Sequence, residues 1–487
     1  MDFAAVLDSS AASPLQKQLY EQWRGAVLSG RFAPGARVPS TRELARSLRV
    51  SRTTVTQAYE QLIAEGYLEA AHGSGTYVCA ALPEDMLRSA PASHKESAAN
   101  GAEFRLRLSR YGRELRERPD YLRDCPRGMI SFTRWLPDLN HFPVSLWARL
   151  VARAARHADL ASFDYDSRSL GYLPLRREIA RYLAVSRAVR CEPDQVIICN
   201  GSQQALDLCV RILADPGDSI AVEDPGYLGA RQIFLSHGAR LRPIPVDADG
   251  MVTDRLRRTR PKLVYVTPSH QFPTGASMTL ARRLELIEWA RGSGAVILED
   301  DYDSEYRFDG RPSPSLQGLS AGAPVLYLGT FSKVLFPGLR LGYMVAPPKL
   351  VPVLERAKWV ADRQCPILEQ AVLASFLAEG HLERHIRRMR VIYGRRREVL
   401  EQSLADEFGD RLRILGTQAG MHLMAEFQTQ LSEDEVVRRA RTEGVVVAGA
   451  RPYYLAPMKE CRLVLGYAPV GERALREGVR RLKRAID

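Results

Sequence analysis

The residues of this sequence best suited to chemistry surround a single lysine. Lys333 stands in the segment Gly329-Thr-Phe-Ser-Lys333-Val-Leu-Phe-Pro-Gly-Leu-Arg340, just past an apolar run and between hydroxyl side chains and an arginine. A lysine in these surroundings suits a Schiff base to pyridoxal 5'-phosphate (PLP). Most single lysines lie on a protein surface, so this interpretation depends on the other polar groups that the chain supplies.

Polar groups follow several other apolar runs. Asn200-Gly-Ser-Gln203 is a turn into a helix, whose free amides suit a phosphate, and Tyr227 places an aromatic ring at a turn, where it can stack on a planar ligand. Asp300 can pair with a pyridinium nitrogen, and the Tyr302 phenol can reach a ring oxygen. Each signal alone is weak. An acidic pair at a strand end, for example, is often a helix cap or a solvated turn.

The elements that would position these groups alternate between strands and helices. Six apolar, β-branched runs predict strands, and segments such as Gln203–Leu213 and Leu280–Arg291 predict helices between them. The predicted strands are Val196–Cys199, Ser219–Val222, Leu263–Val266, Ala295–Leu298, Val325–Leu328 and Tyr343–Val345. This alternation indicates an α/β domain with a mostly parallel sheet covered on both faces. Ligands bind such sheets beyond the carboxyl ends of the strands, where the polar groups lie.

The first eighty residues have the pattern of a winged helix-turn-helix. Leu15–Leu28 has helical spacing of apolar residues, Ser40-Thr-Arg-Glu43 is a capping box for a second helix, and Ser51 can cap a third. The turn His72–Gly75 predicts a small hairpin, or wing. In this plan the last helix enters the major groove of DNA by its first residues. The alternative interpretation is a small helical packing domain.

Four strings in this region resemble the GntR family of bacterial transcription regulators. They are Val38-Pro-Ser-Thr-Arg-Glu-Leu-Ala45, Val50-Ser-Arg-Thr-Thr-Val55, Glu65-Gly66 and Gly73-Ser-Gly-Thr-Tyr-Val78. The resemblance implies binding to double-stranded operator DNA. The positions that it brings to the DNA are Ser40, Arg42, Ser51, Arg52, Thr53, Thr54, Gly73 and Gly75.

The order of polar groups in the rest of the chain resembles class I and II aminotransferases, which are fold-type I PLP enzymes. The resemblance implies that Lys333 forms the internal aldimine, Asp300 meets the pyridine nitrogen, Tyr302 meets the ring hydroxyl and Tyr227 stacks on the ring. Around the phosphate it implies Ser202, Gln203, Thr330, Ser332 and Arg340. Arg462 matches the arginine that grips a substrate carboxylate, with Arg451 as a weaker candidate.

One position departs from the aminotransferase pattern. Phe272 replaces the asparagine that precedes Pro-Thr-Gly and supports the ring oxygen, so that hydrogen bond is either lost or supplied by His270 or Gln271. A GntR-like head on an aminotransferase-like body, together with His270-Gln-Phe-Pro, resembles the MocR subfamily of regulators. That resemblance implies a domain-swapped dimer and a domain that senses PLP or an amino compound. An active aminotransferase carrying a DNA-binding module is the alternative.

Composition and length set the remaining expectations. The 487 residues predict several domains: a winged helix-turn-helix over 13–79, a linker over 80–128 and an aminotransferase-like domain over 129–487, divided near residue 346 into a large subdomain (about 140–346) and a small one (about 347–487). The seven cysteines form no CxxC pair, which predicts neither a metal site nor a disulfide framework. Without a signal peptide or an apolar run of 18 residues, a cytoplasmic protein with no membrane segment is expected.

Overall fold

The structure is a computed structural model, and its chain divides into two compact units, residues 1–107 and 108–487. It describes residues 5–9, 11, 13–71, 74–83, 107–117, 126, 128–133, 135–158, 164–165, 169–308, 313–320, 322 and 324–487. Most of the predicted linker, 80–128, lies outside the described residues.

In its described residues, the first unit has three helices and a small sheet. Its helices are α1 (Leu15–Leu28), α2 (Thr41–Leu48) and α3 (Arg52–Ala64), and its strands are β1 (Arg37–Val38), β2 (Leu68–Ala71) and β3 (Gly75–Val78). The strands pair antiparallel in the order β1-β3-β2. Trp23 is fully buried and stacks on Phe32 with ring centroids 4.8 Å apart. The apolar face of α1 therefore forms part of the core of this unit. The predicted helix-turn-helix and wing are confirmed.

The second unit contains a large twisted sheet of eight strands. The order is β5-β12-β11-β10-β9-β6-β7-β8, and the five strands from β11 to β7 run parallel. β12 is antiparallel to both of its neighbours. The strands are β5 (Val196–Cys199), β6 (Ser219–Asp224), β7 (Arg240–Asp247), β8 (Gly250–Met251), β9 (Leu263–Val266), β10 (Val296–Asp301), β11 (Val325–Thr330) and β12 (Gly342–Val345).

All six predicted strands therefore form, in a mostly parallel sheet. The sequence prediction did not include β7, because Arg240, Arg242, Pro243 and Pro245 interrupt any apolar alternation. The helices of this region are α4 (Arg110–Glu117), α5 (Val144–His157), α6 (Leu173–Arg187), α7 (Ser202–Leu213), α8 (Leu228–Ser236), α9 (Leu280–Ser293), α10 (Leu316–Leu319), α11 (Val351–Asp362) and α12 (Ile367–Ala378).

A second, antiparallel sheet follows along the chain in the order β13-β14-β17-β16. Its strands are β13 (Leu412–Leu415), β14 (His422–Phe427), β16 (Ala448–Gly449) and β17 (Cys461–Gly466), and α13 (His381–Phe408), α14 (Glu433–Thr442) and α15 (Glu472–Ile486) accompany it. An early segment, β4 (Ile130–Ser131), pairs with β15 (Val445–Val446), so the start of this unit packs with its end. The exact domain boundaries stay predictions. No helix among the described residues is long and apolar enough to cross a membrane.

Candidate cofactor site and nucleic-acid interface

The candidate cofactor site lies where β10 and β11 end beside each other. Asp301 is in register with Gly329, so the residues that follow both strands emerge at one edge of the sheet. Asp300 and Thr330 lie at the ends of these strands, and Lys333 comes three residues after β11. Because parallel strands deliver their carboxyl ends to the same edge, residues far apart in sequence meet there.

Two adjacent aspartates at the end of β10 have opposite electrostatic environments. Asp300 accepts a hydrogen bond from the Tyr265 hydroxyl at 2.7 Å, its other oxygen is buried without a partner, and burial raises its pKa to about 7. Burial raises the pKa of Asp301, but the Arg187 guanidinium at 2.6 Å and hydrogen bonds from neighbouring side chains together lower it below the usual value. Successive residues of a strand point to opposite faces of the sheet. Asp301 therefore stabilises the fold through its ion pair with Arg187, while Asp300 remains available to a ligand.

The Lys333 amine is buried within range of the charges of Asp303 and Asp300. Its Nζ donates a hydrogen bond to the Trp135 carbonyl at 2.7 Å. Burial lowers its pKa, and the charges of Asp303 and Asp300 oppose that shift without cancelling it. A larger fraction of the amine is therefore unprotonated than for a lysine in water, and the neutral amine is the nucleophilic form.

The residues predicted to bind the phosphate lie at the start of α7 and just beyond β11. Gly201 precedes that helix with φ +81°, and a Cβ there would lie 3.0 Å from the Arg340 guanidinium, which donates to the Asn200 carbonyl at 2.8 Å. Ser202 and Gln203 form the first turn of the helix, where backbone amides point outward. Beyond β11, the Ser332 amide donates to the Thr330 hydroxyl at 3.2 Å, and the Ser332 Oγ is buried without a partner among the described residues.

Aromatic side chains form one wall of the site. Tyr227 accepts a hydrogen bond from Gln203 at 2.8 Å, which ties it to the start of α7. Phe272 is only 7% exposed and packs edge to face against Tyr227, Tyr302 and Tyr453, with ring centroids 5.2–6.3 Å apart. The phenylalanine that replaces the asparagine of the aminotransferase pattern is thus a packing residue of this wall and brings no polar group.

Two residues were expected to replace the hydrogen bond lost at Phe272. One of them, Gln271, is hydrogen-bonded to groups other than Tyr302. The Gln271 amide nitrogen donates to the Pro225 and Phe272 carbonyls at 2.8 and 2.7 Å, and its oxygen accepts from Thr274. His270 instead faces Tyr302, whose hydroxyl lies 2.9 Å from the His270 carbonyl oxygen and 3.1 Å from its Nδ1.

The two candidate carboxylate-binding arginines lie in different surroundings. Arg462 on β17 pairs with Glu426 at 2.7 Å and donates to the Tyr454 hydroxyl at 2.7 Å, and Tyr454 packs against the Phe272 cluster. Arg451 is largely exposed, 3.6 Å from Asp434. The local packing therefore favours Arg462 over Arg451, as the sequence did.

Several groups that shape the site were absent from the sequence prediction. Arg187, from α6, holds Asp301 and also donates to Ser269. Tyr265 lies within β9 and orients Asp300, and Trp135 receives the Lys333 hydrogen bond. Only the position of Tyr265 on a central strand gave a signal, because Arg187 and Trp135 lie 114 and 198 residues before the side chains that they contact.

One group of buried side chains in the described part of the chain holds metal-ligand atoms within 4.8 Å of one another: His270, Asp303 and His422. Both Asp303 oxygens lie at 3.1–3.2 Å from the His270 Nδ1, which is the geometry of a hydrogen-bonded carboxylate–histidine pair. The expectation that the chain has no metal site stays a prediction.

The first unit presents the predicted DNA-contacting residues at the starts of α2 and α3. Ser40 and Glu43 form the expected capping box, with bonds of 3.3 and 2.9 Å. The Ser51 hydroxyl accepts from the Thr54 amide at 3.0 Å and so begins α3. The side chains exposed beside these caps include Arg42, Arg52 and Thr53.

The wing supplies the last predicted contact that the structure describes. Gly75 begins β3 with φ +128°, and a Cβ there would lie 2.8 Å from the Arg37 side chain. Gly73 lies outside the described residues. The arginines at positions 37, 42, 46, 49 and 52 are all exposed, so the basic residues of this segment point to solvent, as phosphate contacts require.

Comparison with known proteins matches both units to families. Residues 15–78 match the family of bacterial regulatory proteins of the gntR type, and residues 145–482 match aminotransferase class I and II. The probable rhizopine catabolism regulatory protein MocR of Rhizobium meliloti is 40% identical over 99% of this chain and 95% of its own length. The HTH-type pyridoxine biosynthesis transcriptional regulator PdxR of Corynebacterium glutamicum is 32% identical over 98% of this chain and 96% of its own length.

A solved structure matches the second unit. It is LysN, the alpha-aminoadipate aminotransferase of Thermus thermophilus, complexed with N-(5'-phosphopyridoxyl)-L-leucine. The match covers 74% of this chain and 92% of LysN with 35% identity and a TM-score of 0.68. The chain therefore belongs to the MocR-like transcription regulators of the GntR family, in which a helix-turn-helix domain precedes a class I and II aminotransferase domain.

Proposed function

We propose that this regulator binds PLP at Lys333 and changes its affinity for operator DNA when PLP, or an amino compound that reacts with it, occupies the site. The observation that carries the proposal is the unpartnered Asp300 oxygen. It is buried, its carboxyl has a pKa raised to about 7, and the charges of Asp300 and Lys333 influence each other. A cationic ring nitrogen would supply the partner that this carboxylate lacks.

The remaining residues fit the same group. The unpartnered Ser332 hydroxyl, the Arg340 guanidinium and the amides of Ser202 and Gln203 form a set of donors suited to a phosphate. Gly201 keeps this turn free of a side chain that would meet Arg340. When bound, PLP supplies an aldehyde that condenses with amines and a ring that withdraws electron density.

The chain's own groups have distinct parts in this proposal. Lys333 supplies the amine, and burial lowers its pKa, which enlarges the reactive neutral fraction. Asp300 holds a positive charge on the ring nitrogen, and Tyr227 and Phe272 keep water from one side of the site. Arg462 binds the carboxylate of an amino-acid effector after rearranging its contact with Glu426, whereas PLP as the sole effector does not require Arg462.

Visible absorbance tests the cofactor proposal directly. Purified protein mixed with PLP should develop a visible band that survives gel filtration, and addition of an amino acid should shift that band. A band that is absent, or that belongs to free PLP alone, would contradict the proposal.

An active aminotransferase is the second candidate, favoured by the presence of Lys333, Asp300 and Tyr302 in one site. Sustained conversion of a keto acid in the presence of an amino donor would support it, whereas a spectral shift with no turnover would support the sensor. Phe272 favours the sensor, because it brings no amide to the ring oxygen.

Operator binding and assembly complete the proposal. The exposed arginines of α2 and α3 are suited to phosphates and guanine edges, so the winged helix binds double-stranded DNA. A domain-swapped homodimer, in which the head of one chain lies over the body of its partner, would place two heads on two half-sites. Light scattering should then give a mass of two chains, and a monomer bound to DNA would contradict this part.

A further inference from the structure

The hydroxyl of Tyr302 is contacted by a single residue, His270, among the described residues. In the described residues, the partners of the Tyr302 Oη are the carbonyl oxygen of His270, at 2.9 Å, and the Nδ1 of the same residue, at 3.1 Å. Phe272 supplies nothing to this hydroxyl, and Gln271 is held by other groups. His270 therefore stands where it can replace the missing amide.

The His270 ring is fixed by its surroundings. Its Nδ1 lies 3.1 and 3.2 Å from the two oxygens of Asp303, and both side chains are only 1% exposed. Its other side is occupied by Gly420, where a Cβ would lie 1.9 Å from the ring, so only a glycine with φ +84° leaves room for the imidazole. A ring held by a buried carboxylate and a glycine is preorganised and does not rotate with the state of the ligand.

The contact with Asp303 also determines the direction of the hydrogen bonds between His270 and Tyr302. A carboxylate accepts hydrogen bonds, so Nδ1 of His270 carries its proton toward Asp303. Tyr302 cannot then donate to Nδ1, and it donates to the His270 carbonyl instead, at 2.9 Å. The hydroxyl thus keeps a proton that it can redirect to another acceptor, while its own oxygen stays within reach of the Nδ1–H.

We propose that His270, held by Asp303, is a positioning residue that directs and strengthens the hydrogen bond that Tyr302 gives to the ring oxygen of PLP, in place of the asparagine amide that Phe272 removes. This inference rests on the proposed binding of PLP. The single Nδ1–H of His270 is shared between Asp303 and the Tyr302 oxygen, and a hydroxyl that accepts a hydrogen bond donates more strongly.

Other titratable groups face the His270–Asp303 pair. Lys333 and Asp300 lie on the ligand side, and the Tyr467 hydroxyl, near Asp303, donates to the Gly420 carbonyl at 2.8 Å. His422 packs against His270 with ring centroids 4.6 Å apart, and burial lowers its pKa well below the usual value, so it stays neutral. None of them is hydrogen-bonded to Tyr302 among the described contacts.

A pH titration of the visible absorbance of PLP-loaded protein tests the inference. Its midpoint reports how strongly the ring oxygen is stabilised in its ionised form, and Tyr302 provides that stabilisation. His270→Phe should raise the midpoint by about one pH unit or more, the size expected for one hydrogen bond to a charged oxygen. His270→Asn, which keeps an N–H at this place, should restore most of the wild-type value.

Matched variants distinguish the effect of His270 on the titration midpoint from the general effect of losing a histidine–carboxylate pair. Asp303→Asn should move the midpoint in the same direction by less. His237→Phe removes another histidine–carboxylate pair, with Asp207 at 2.8 Å, at the far end of α8 from Tyr227, and should leave the midpoint unchanged. A midpoint that is equal in wild type, His270→Phe and His270→Asn would overturn the inference while leaving the proposed cofactor in place.

The cofactor-free wild type gives a second, independent readout. Nitrogen NMR of histidine-labelled protein should show a proton on the His270 Nδ1, assigned by loss of the signal in His270→Asn. A ring with its proton on Nε2 and none on Nδ1 would contradict the inference. About one equivalent of zinc per chain that disappears in His270→Phe would overturn it as well, whereas absence of any visible band in the wild type would reject the proposed function itself.

Discussion

At the scale of single residues, the candidate site depends on how burial divides two neighbouring carboxylates. Asp301 has a buried cationic partner in Arg187, whereas Asp300 has only the Tyr265 hydroxyl and keeps one oxygen unpartnered. An unpaired buried charge is costly, and natural proteins tolerate it mainly where a ligand completes it. This pairing difference separates the ligand-binding aspartate from the structural one.

Removal of the Lys333 amine should abolish covalent attachment of PLP. Lys333→Ala should lose the visible band that survives gel filtration, because in the described site Lys333 is the amine beside Asp300. Lys358, buried and paired with Asp362 at 2.6 Å, is a control site, and Lys358→Met should keep the band if it folds. A surviving band in Lys333→Ala would show that the site is assigned to the wrong lysine.

The two aspartates should respond differently to substitution by asparagine. The pKa of Asp300 is raised to about 7, above about 3.9 in the unfolded chain. The folded state therefore binds more protons in this window and loses stability as pH rises from about 4 to about 7. Asp300→Asn removes that loss, so the cofactor-free variant should be at least as stable as wild type at pH 8.

Asp301→Asn should instead destabilise the fold, by about 3–5 kcal/mol, because it leaves the buried Arg187 without its charge partner. Urea unfolding of the cofactor-free proteins at pH 6 and pH 8 measures both effects. Equal losses of stability in the two variants would contradict the assignment of separate roles.

At the scale of elements, the sequence predicted the helices and strands better than the side-chain contacts between them. Strong apolar runs such as Val196–Cys199 and clear caps such as Ser40 and Ser51 formed as expected, because their signals are local. The polar, proline-containing β7 was missed, since its place in the sheet comes from its neighbours. The sequence could not decide whether His270 or Gln271 takes the place of the asparagine that Phe272 replaces. That choice depends on which side chain faces Tyr302 in the folded protein.

The turn into α7 offers a test of one element. Gly201 and Gly217 both have positive φ, +81° and +94°, but a Cβ meets Arg340 at 3.0 Å only at Gly201. Alanine at either position should cost about 1 kcal/mol of stability through backbone strain. Only Gly201→Ala should also raise the PLP dissociation constant, by about tenfold, or 1.4 kcal/mol. Equal PLP affinities, measured by fluorescence titration, would remove this turn from the phosphate site.

The start of α3 offers a second test. Arg52 is exposed beside the Ser51 cap, and Arg52→Ala should weaken operator binding by about 1–3 kcal/mol if the side chain reaches a guanine. Lys17→Ala removes an exposed charge from α1, paired with Glu21 at 4.0 Å, and should change binding little. Gel-shift titrations at fixed salt compare the two, and an unchanged affinity in Arg52→Ala would exclude it from the contacts.

At the scale of the whole molecule, the proposed regulation requires thermodynamic linkage between ligand binding in one compact unit and DNA binding in the other. A ligand at Lys333 alters DNA affinity only if it binds more tightly to one of two states of the regulator, and DNA must then alter ligand affinity by the same factor. The units themselves were predictable from the sequence, because each carries several short family motifs in the expected order. The coupling between them was not, since it arises from energy differences between assemblies of the whole chain.

The most direct test is the affinity of the protein for a DNA duplex that it selects from a randomised pool, measured with and without saturating PLP. In the wild type, PLP should change the dissociation constant by about 5- to 150-fold, the usual range of coupling between sites. In Lys333→Ala the change should largely disappear. An identical dissociation constant with and without PLP in the wild type, in samples whose visible band shows the site filled, would contradict the central claim.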